Sequence, residues 1–442
     1  MAKLLSVGLD VGTTTTQLVL SELTVENRAS SFSVPEMEIL ERNVHYKSPV
    51  YFTPLLGHNR VDGEAVARIV EKEYAAAGIV RQEVNTGAVI ITGETSRKEN
   101  ARAVLQAVSE FAGDFVVTTA GPALESVLAA KGAGAVTFSE QTGKTVLHMD
   151  IGGGTSNLAL IEAGQIVATG CLNVGGRLLK FEKTGEITYI SPVLAGIFEG
   201  ETGKIPRLSA VEALADILVS ALEMAAGLRE PTPLLQALWT KECGPIWEIP
   251  KEKTVLSFSG GVADCIGKDH ENGAFGDMGP ILGRAIRRSW LCRGEYRLGE
   301  ETIRATVIGA GSHATQLSGS TVFYRGVDLP VKNLPVVSRV EQLHGLDSPG
   351  VLALSGEGLG QYEAICSLAD KLAEAWPAQP VLIALEADVA KALGHALALR
   401  LPREKPVLCI DRVKFPPQSY LDIGAPVDAA LPVVVKTLVL QG

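Results

Sequence analysis

The stretch that most constrains this chain is one it contains twice. VGLDVGTTTTQLVL occupies residues 7–20, and HMDIGGGTSNLALI at residues 148–161 repeats its arrangement. In each, an apolar run ends in an aspartate, a β-branched residue and a glycine follow, then small and hydroxyl residues, an amide side chain and a second apolar run. The two aspartates, Asp10 and Asp150, stand 140 residues apart. An apolar run on each side of a short flexible turn reads as strand, tight turn and returning strand. The spacing therefore predicts two similarly built domains, each opening on a β-hairpin.

Such a turn has a definite chemistry. Glycine admits positive φ and lets backbone N–H groups approach a ligand with no Cβ in the way. Successive N–H groups form an anion nest, and threonine hydroxyls add donors. Phosphate is the natural guest, and its candidate contacts are Gly12, Thr13, Thr14 and Thr15 in the first turn and Gly152, Gly153, Gly154 and Thr155 in the second. An aspartate at the strand end would repel phosphate directly, so Asp10 and Asp150 are read as holding Mg2+ through water, with the ion bridging the phosphates. Two such turns facing across a cleft would clamp a polyphosphate from both sides. A third glycine turn, Ser259, Gly260 and Gly261, ends the apolar run TVLSF.

Other phosphate loops fail on their spacing. TGKT at 142–145 needs a glycine at position 138, which is Phe138, and the turn at Lys204 has Phe198 and Ile205 where Gly and Ser/Thr are required. GAGSH, Gly309–His313, reads as a tight turn after a strand at 304–309, and Ala314 breaks the dinucleotide pattern.

A chain of 442 residues exceeds one ordinary core, and two or three domains are expected. The reading divides it at 1–143, 144–300 and 301–442. The first part is expected to alternate a hairpin at 4–9 and 17–20, a helix at 63–77, a strand at 87–92, a helix opened by the Ser96/Glu99 capping box, a strand at 115–118 and a helix at 122–131. The second part carries strands at 144–150 and 165–172, a helix opened by a Ser209/Glu212 capping box, and a helix at 278–290. The third reads as an α/β module with strands RATVIG, VLIAL and PVLCID and a helix at 388–400.

Composition is 46% hydrophobic and 20% charged, which suits a compact chain rather than a disordered one. A net charge of −10 without long runs argues against a nucleic-acid partner. Apolar runs are interrupted well before the ~20 residues that span a bilayer, so no membrane segment is expected. No signal-peptide pattern opens the chain, and a cytoplasmic location follows as an expectation. The six cysteines form no CxxC pair and read as buried free thiols.

The order of hairpin, hairpin and glycine turn resembles the actin-like ATPase superfamily, in which two ribonuclease H-like domains enclose ATP and Mg2+. That resemblance maps the first phosphate motif onto Asp10 and Gly12–Thr15, the second onto Asp150 and Gly152–Thr155, and the adenosine motif onto Ser259–Gly261. It also makes the helix at 278–288 the one that returns to the first domain. DnaK-type chaperones carry Glu-Pro at the turn after the first domain's last strand, where this chain has Gly121-Pro122. The hydrolytic acid is thus missing from its usual place, and Glu94 in a neighbouring loop is the substitute the sequence offers.

Closer similarity lies with the EutA family of reactivating factors. It is carried by VGLDVGTTTTQLV, ITGETSRKENA, LHMDIGGGTSNLA and FSGGVADCI together with the tail after Arg304. The resemblance implies a weak ATPase with chaperone-like action on ethanolamine ammonia-lyase, helping damaged cobalamin leave so that intact adenosylcobalamin replaces it. It also implies a cytoplasmic protein associated with the ethanolamine-utilisation microcompartment, and it leaves homo-oligomerisation open. Two alternatives stand beside it: a small-molecule kinase of the same fold, with Asp264 or Asp277 as general base, and a scaffold protein whose assembly nucleotide controls.

Overall fold

The computed structural model describes every residue except 1, 13–14, 28–36, 57–59, 81–82, 93–115, 120, 244–245, 248, 250–253, 314, 319–321, 347, 416–418, 427–429 and 438–442. The helix expected from the Ser96/Glu99 box lies outside the described residues, as does Glu94.

The two repeated stretches fold as matching hairpins. β1 (Ala2–Val11) pairs antiparallel with β2 (Thr15–Asn27), placing Asp10 opposite Gln17 and Val11 opposite Thr16. β7 (Thr145–Ile151) pairs with β8 (Ser156–Glu162), placing Asp150 opposite Asn157 and Ile151 opposite Ser156. Every partner is displaced by the same 140 positions that separate the motifs. The turns match as well, with Gly12 N–H donating to Thr15 O and Gly152 N–H to Thr155 O, both at 2.9 Å.

The sheets built on these hairpins share one strand order. The first runs β3 (Met37–Lys47), β2, β1, β5 (Thr86–Ile91), β6 (Val116–Thr119), with the short β4 (Tyr51–Phe52) paired to β2. The second runs β9 (Gln165–Leu172), β8, β7, β12 (Thr254–Ser259), β13 (Tyr296–Leu298). Between β9 and β12 in the chain lies a separate pair, β10 (Leu179–Phe181) and β11 (Ile187–Ile190). In both five-strand paths the first three strands are antiparallel and the last two parallel to the third. This is the ribonuclease H-like order, present twice, and the fold is that of the actin-like ATPases with a further α/β sheet at the C-terminus.

β5 and β7 are buried on both faces, which explains their unbroken apolar runs. α1 (Gly63–Ala77), capped by the Asp62 carboxylate on Ala65 N–H, covers one face of the first sheet through Val66, Val70 and Tyr74. Two further helices, α2 (Pro122–Gly132) and α3 (Ala135–Thr142), follow β6 in the chain, and Ala135 of α3 packs on β7 through Val146. The main core of the second unit is built by α4 (Leu208–Ala225), α5 (Pro233–Leu238), α6 (Gly261–Gly267) and α7 (Gly279–Arg288). α4 starts earlier than a Ser209 cap would allow. Its N-cap is Arg207, so Ser209 lies inside the first turn and does not cap the helix.

Two of the helices tie the units together. α2 leaves the first sheet and packs on the second, where Ala130 meets Val146, Ala159 and Val255. α8 (Ala305–His313) leaves the second and packs on the first, against Val19 through Val307 and Ile308. They cross in direct backbone contact: a Cβ on Gly132 would stand 1.9 Å from Ala305 O and one on Gly309 2.0 Å from Leu128 O, while α8 lies as close on β1, where a Cβ on Gly8 would be 2.3 Å from Val307 O. This corrects two expectations. The stretch read as the strand RATVIG followed by a GAGSH turn is this helix, and it, rather than the helix at 279–288, returns to the first unit. α7 instead stays within the second core.

The remaining chain forms an eight-stranded sheet. Parallel β16 (Val331–Val337), β17 (Val351–Leu354), β18 (Val381–Leu385) and β19 (Val407–Ile410) carry α9 (Tyr362–Ala375) and α10 (Ala390–Ala398) on one face. β14 (Thr315–Leu317), β21 (Pro432–Thr437) and β20 (Ser419–Ile423) extend it antiparallel at one end, and β15 (Phe323–Arg325) at the other. Val434 of β21 joins Ala88, Ile90, Leu128 and Ala310, so this sheet abuts the first unit at the helix crossing. Among the described residues no helix is long and apolar enough to cross a membrane.

Candidate functional site

The two hairpins bring their aspartates within electrostatic reach of each other. Burial pushes the Asp10 carboxyl up to about 7; the Thr92 hydroxyl, donating to Asp10 Oδ1 at 2.8 Å, opposes this, while the negative charges of Glu125 and Asp150 add to it. Asp150 is raised to about 6 by burial, against the opposing hydrogen bonds from Ser259 and Thr306. The Ser259 hydroxyl donates to Asp150 Oδ1 at 2.5 Å and Thr306, on α8, to Oδ2 at 3.4 Å. Three acids thus converge where the units meet, and their repulsion makes the place one that a cation would relieve.

Glu125 is the residue that the sequence reading missed. It sits in the first turn of α2, buried, and its Oε2 accepts from Asn157 Nδ2 at 2.8 Å. The acid sought at Gly121 is absent there, but Glu125 is four residues on, and positions four apart share a helix face. A scan of the whole first turn, rather than of the residue before the proline, would have found it.

Oxygen donors complete the surroundings. Gln17 and Asn157, directly opposite Asp10 and Asp150 in their hairpins, are buried, and among the described residues Gln17 Oε1 and Asn157 Oδ1 have no hydrogen-bond partner. Carboxylate and amide oxygens suit a hard, hydrated cation such as Mg2+. Among the described residues no three His, Cys, Asp or Glu side chains are placed to hold a metal ion by themselves. A cation here would complete its shell with water and ligand oxygens.

The turns differ in how they are held. Thr53, just past β4, donates its hydroxyl to Gly12 O at 2.8 Å and lies 3.1 Å from the Thr16 hydroxyl. Thr13 and Thr14 fall outside the described residues, while Thr15 begins β2. The second turn is clamped from behind: Gly176 N–H donates to Gly152 O at 3.0 Å and Arg177 N–H to Gly153 O at 2.6 Å. Arg177 is itself fixed by a part-buried ion pair with Asp277 at 3.0 Å. A Cβ on Gly154 would meet nothing within 4 Å, so this side of the turn is open to a ligand.

At the third turn the residues part company. Gly260, at φ +88°, brings its Cα so near Ile151 that a Cβ would lie 2.3 Å from the Ile151 carbonyl oxygen, whereas Gly261 opens onto free space at the start of α6. Ser259 is fully buried, and its hydroxyl is engaged with Asp150 and His148. Both kinase-base candidates have structural partners: Asp264 with Lys268 and His270, and Asp277 with Arg177 and the Gly279 amide. Lys144, in the rejected TGKT turn, makes a surface ion pair with Glu295. All six cysteines are free thiols.

Comparison with known proteins places this geometry in context. The chain matches the family described as ethanolamine utilisation protein EutA over residues 2–349 and 341–441. It is 38% identical, over 99% of its length and 98% of the relative's, to the ethanolamine ammonia-lyase reactivase EutA of Salmonella typhimurium. The reactivase of the same name from Escherichia coli is 37% identical over the same shares of both chains. Among solved structures, the ethanolamine utilization protein EutJ from Carboxydothermus hydrogenoformans aligns with 69% of this chain and 88% of its own, at 18% identity and a TM-score of 0.34.

Proposed function

This chain belongs to the EutA family, and we propose from that membership that it reactivates ethanolamine ammonia-lyase in a cycle driven by ATP and Mg2+. The observation that carries the reading is the end-to-end match to two curated reactivases, at 38% and 37% identity over 99% of this chain. Reactivation here means helping a damaged, tightly held cobalamin leave the lyase so that intact adenosylcobalamin can enter.

Bound Mg2+ would neutralise the charge of the phosphates and polarise the terminal one. Asp10 and Asp150 are the residues that would hold its hydration water, one from each unit. Gly12, Thr13, Thr14 and Thr15 offer donors to the phosphates on one side, and Gly152, Gly153, Gly154 and Thr155 on the other. Gly261, at the mouth of α6, and Gly260 line the adenosine side, with Ser259 acting from beneath through Asp150. Glu125 orients the attacking water; Glu94 is the remaining candidate for that task.

The output is conformational. Because donors come from both units, occupancy favours the closed arrangement and loss of the terminal phosphate removes contacts from one side. Moving such an equilibrium from about 1:99 to 99:1 needs roughly 5.5 kcal/mol of differential affinity, which charge-assisted bonds from two hairpins can supply. The lyase must in turn prefer one arrangement, or nothing is coupled.

Incubating the protein with cyanocobalamin-inactivated lyase, ATP, Mg2+ and adenosylcobalamin tests the reading. Recovery of lyase activity is expected only when ATP and Mg2+ are both present. Absence of recovery in the complete mixture would overturn it.

A further inference from the structure

We propose that Ser257, His148 and Ser259 form a one-way hydrogen-bond chain that orients the Asp150 carboxylate, making His148 and Ser257 positioning residues for the nucleotide site. The proposal rests on the nucleotide reading given above. β7 and β12 run parallel with Ser257 beside His148 and Ser259 beside Asp150. Alternate residues of a strand share a face, so all four side chains lie on one side of the sheet. The contacts run in sequence: Ser257 Oγ to His148 Nδ1 at 3.0 Å, His148 Nε2 to Ser259 Oγ at 2.9 Å, and Ser259 Oγ to Asp150 Oδ1 at 2.5 Å.

Counting hydrogens fixes the direction. An ionised Asp150 only accepts, so the single Ser259 proton goes to it. Ser259 must then accept from His148, which requires the proton on Nε2. A neutral imidazole has one N–H, so Nδ1 accepts from Ser257. His148 is fully buried between the two serine hydroxyls, a setting that disfavours a charged ring. Each link therefore points toward the carboxylate, an arrangement in which successive bonds polarise and strengthen one another.

The fold does not need these groups, and the chain supplies its own control. In the first unit β1 pairs with β5, and the corresponding positions beside Asp10 are Gly8, Ala88 and Ile90. An apolar version of the same sheet face thus exists one domain away. Among the described residues Asp10 is held by a single hydroxyl from Thr92, whereas Asp150 stands at the end of a three-residue relay. Burying a histidine and two serines is costly unless they are bonded, and the return is a carboxylate whose Oδ1 is pinned while Oδ2 reaches toward α8.

Two measurements test this. Nitrogen NMR of histidine-labelled protein should find His148 in the Nε2–H tautomer; an Nδ1–H tautomer would reverse the chain and overturn the proposal. Calorimetry should show Ser257→Ala, whose hydroxyl bonds His148 and not Asp150, weakening Mg2+–ATP binding by about tenfold, the scale of losses when partners of metal-site residues are removed. Binding of ATP without Mg2+ should change little, and Ser257→Thr, which keeps the hydroxyl, should restore affinity. Equal Mg2+–ATP affinity in Ser257→Ala and wild type would overturn the positioning role. Failure of the wild type to bind Mg2+–ATP at all would instead overturn the nucleotide reading, and with it the purpose assigned to the chain, even with the Nε2–H tautomer observed.

Discussion

Replacing Asp150 by asparagine should stabilise the empty protein while abolishing its response to Mg2+ and nucleotide. Burial raises the Asp150 carboxyl from 3.8 to about 6. A raised carboxyl pKa means that the folded state disfavours the ionised form, so the associated stability is complete below the unfolded value, declines as pH rises, and is gone above about 6. A difference of that size is worth about 3 kcal/mol, at roughly 1.36 kcal/mol for each factor of ten in proton affinity. Asparagine keeps an acceptor for Ser259 and carries no charge. At a pH of about 7.5 the Asp150→Asn protein should therefore resist urea by up to about 3 kcal/mol more than wild type, and the gap should close as pH falls from about 6 toward about 4.

Ligand must reverse the order. A ligand at about 100 times its dissociation constant stabilises by roughly 2.7 kcal/mol, and wild type should gain this from Mg2+–ATP while the variant should not. Urea titrations at several pH values between about 4.5 and 8, with and without Mg2+–ATP, measure both effects. A variant less stable than wild type at the upper end of that range would show that the carboxylate is held by its partners rather than strained by burial. An undiminished Mg2+–ATP increment would remove Asp150 from the cation site.

Three other substitutions probe the elements around it. Gly132→Ala puts a Cβ 1.9 Å from Ala305 O, a backbone atom that cannot rotate away, and should cost about 3 kcal/mol in thermal or urea unfolding; Gly121→Ala, with nothing within 4 Å and only an N-cap preference to lose, should cost about 1 kcal/mol or less. Glu125→Gln keeps an acceptor for Asn157 but removes the charge, and should lower ATP turnover by about a hundredfold or more with nucleotide affinity retained. Unchanged turnover would leave Glu125 with a purely structural task.

The hairpins are legible in the sequence because their signals are local. Asp, Gly and hydroxyl residues at fixed offsets determine a turn within a few positions, and the same 140-residue displacement reappears in both registers. α1 is readable at both ends, from its apolar spacing and from Gly78 at φ +69° closing it. α8 is not. ATVIGAGSH is apolar on most sides because it is packed between the two units, so it shows no clear helical period, and its β-branched residues mimic a strand. Only the glycines facing α2 and β1 mark it as a helix, and their meaning depends on partners far earlier in the chain. Ser259 misleads for a related reason: its motif is local, but the side chain turns inward to a histidine 111 residues away.

The helix crossing gives those hidden residues a common purpose. Glu125 on α2 bonds Asn157, and Thr306 on α8 bonds Asp150, so both crossing helices reach the base of the second hairpin. From Val307 to Gly311 the same helix lies against Gly8, two residues before Asp10, with Val307 O 2.3 Å and Gly311 Cα 3.1 Å from where a Gly8 Cβ would stand. One short helix therefore touches the strand of each aspartate. Packing this close, backbone on backbone, leaves no slack for side chains to absorb a displacement. A change in separation between the two carboxylates would therefore bear directly on the helices, and the C-terminal sheet meets the same crossing through Val434. The third sheet, which carries none of the phosphate motifs, is in this way mechanically joined to the place where the charges converge.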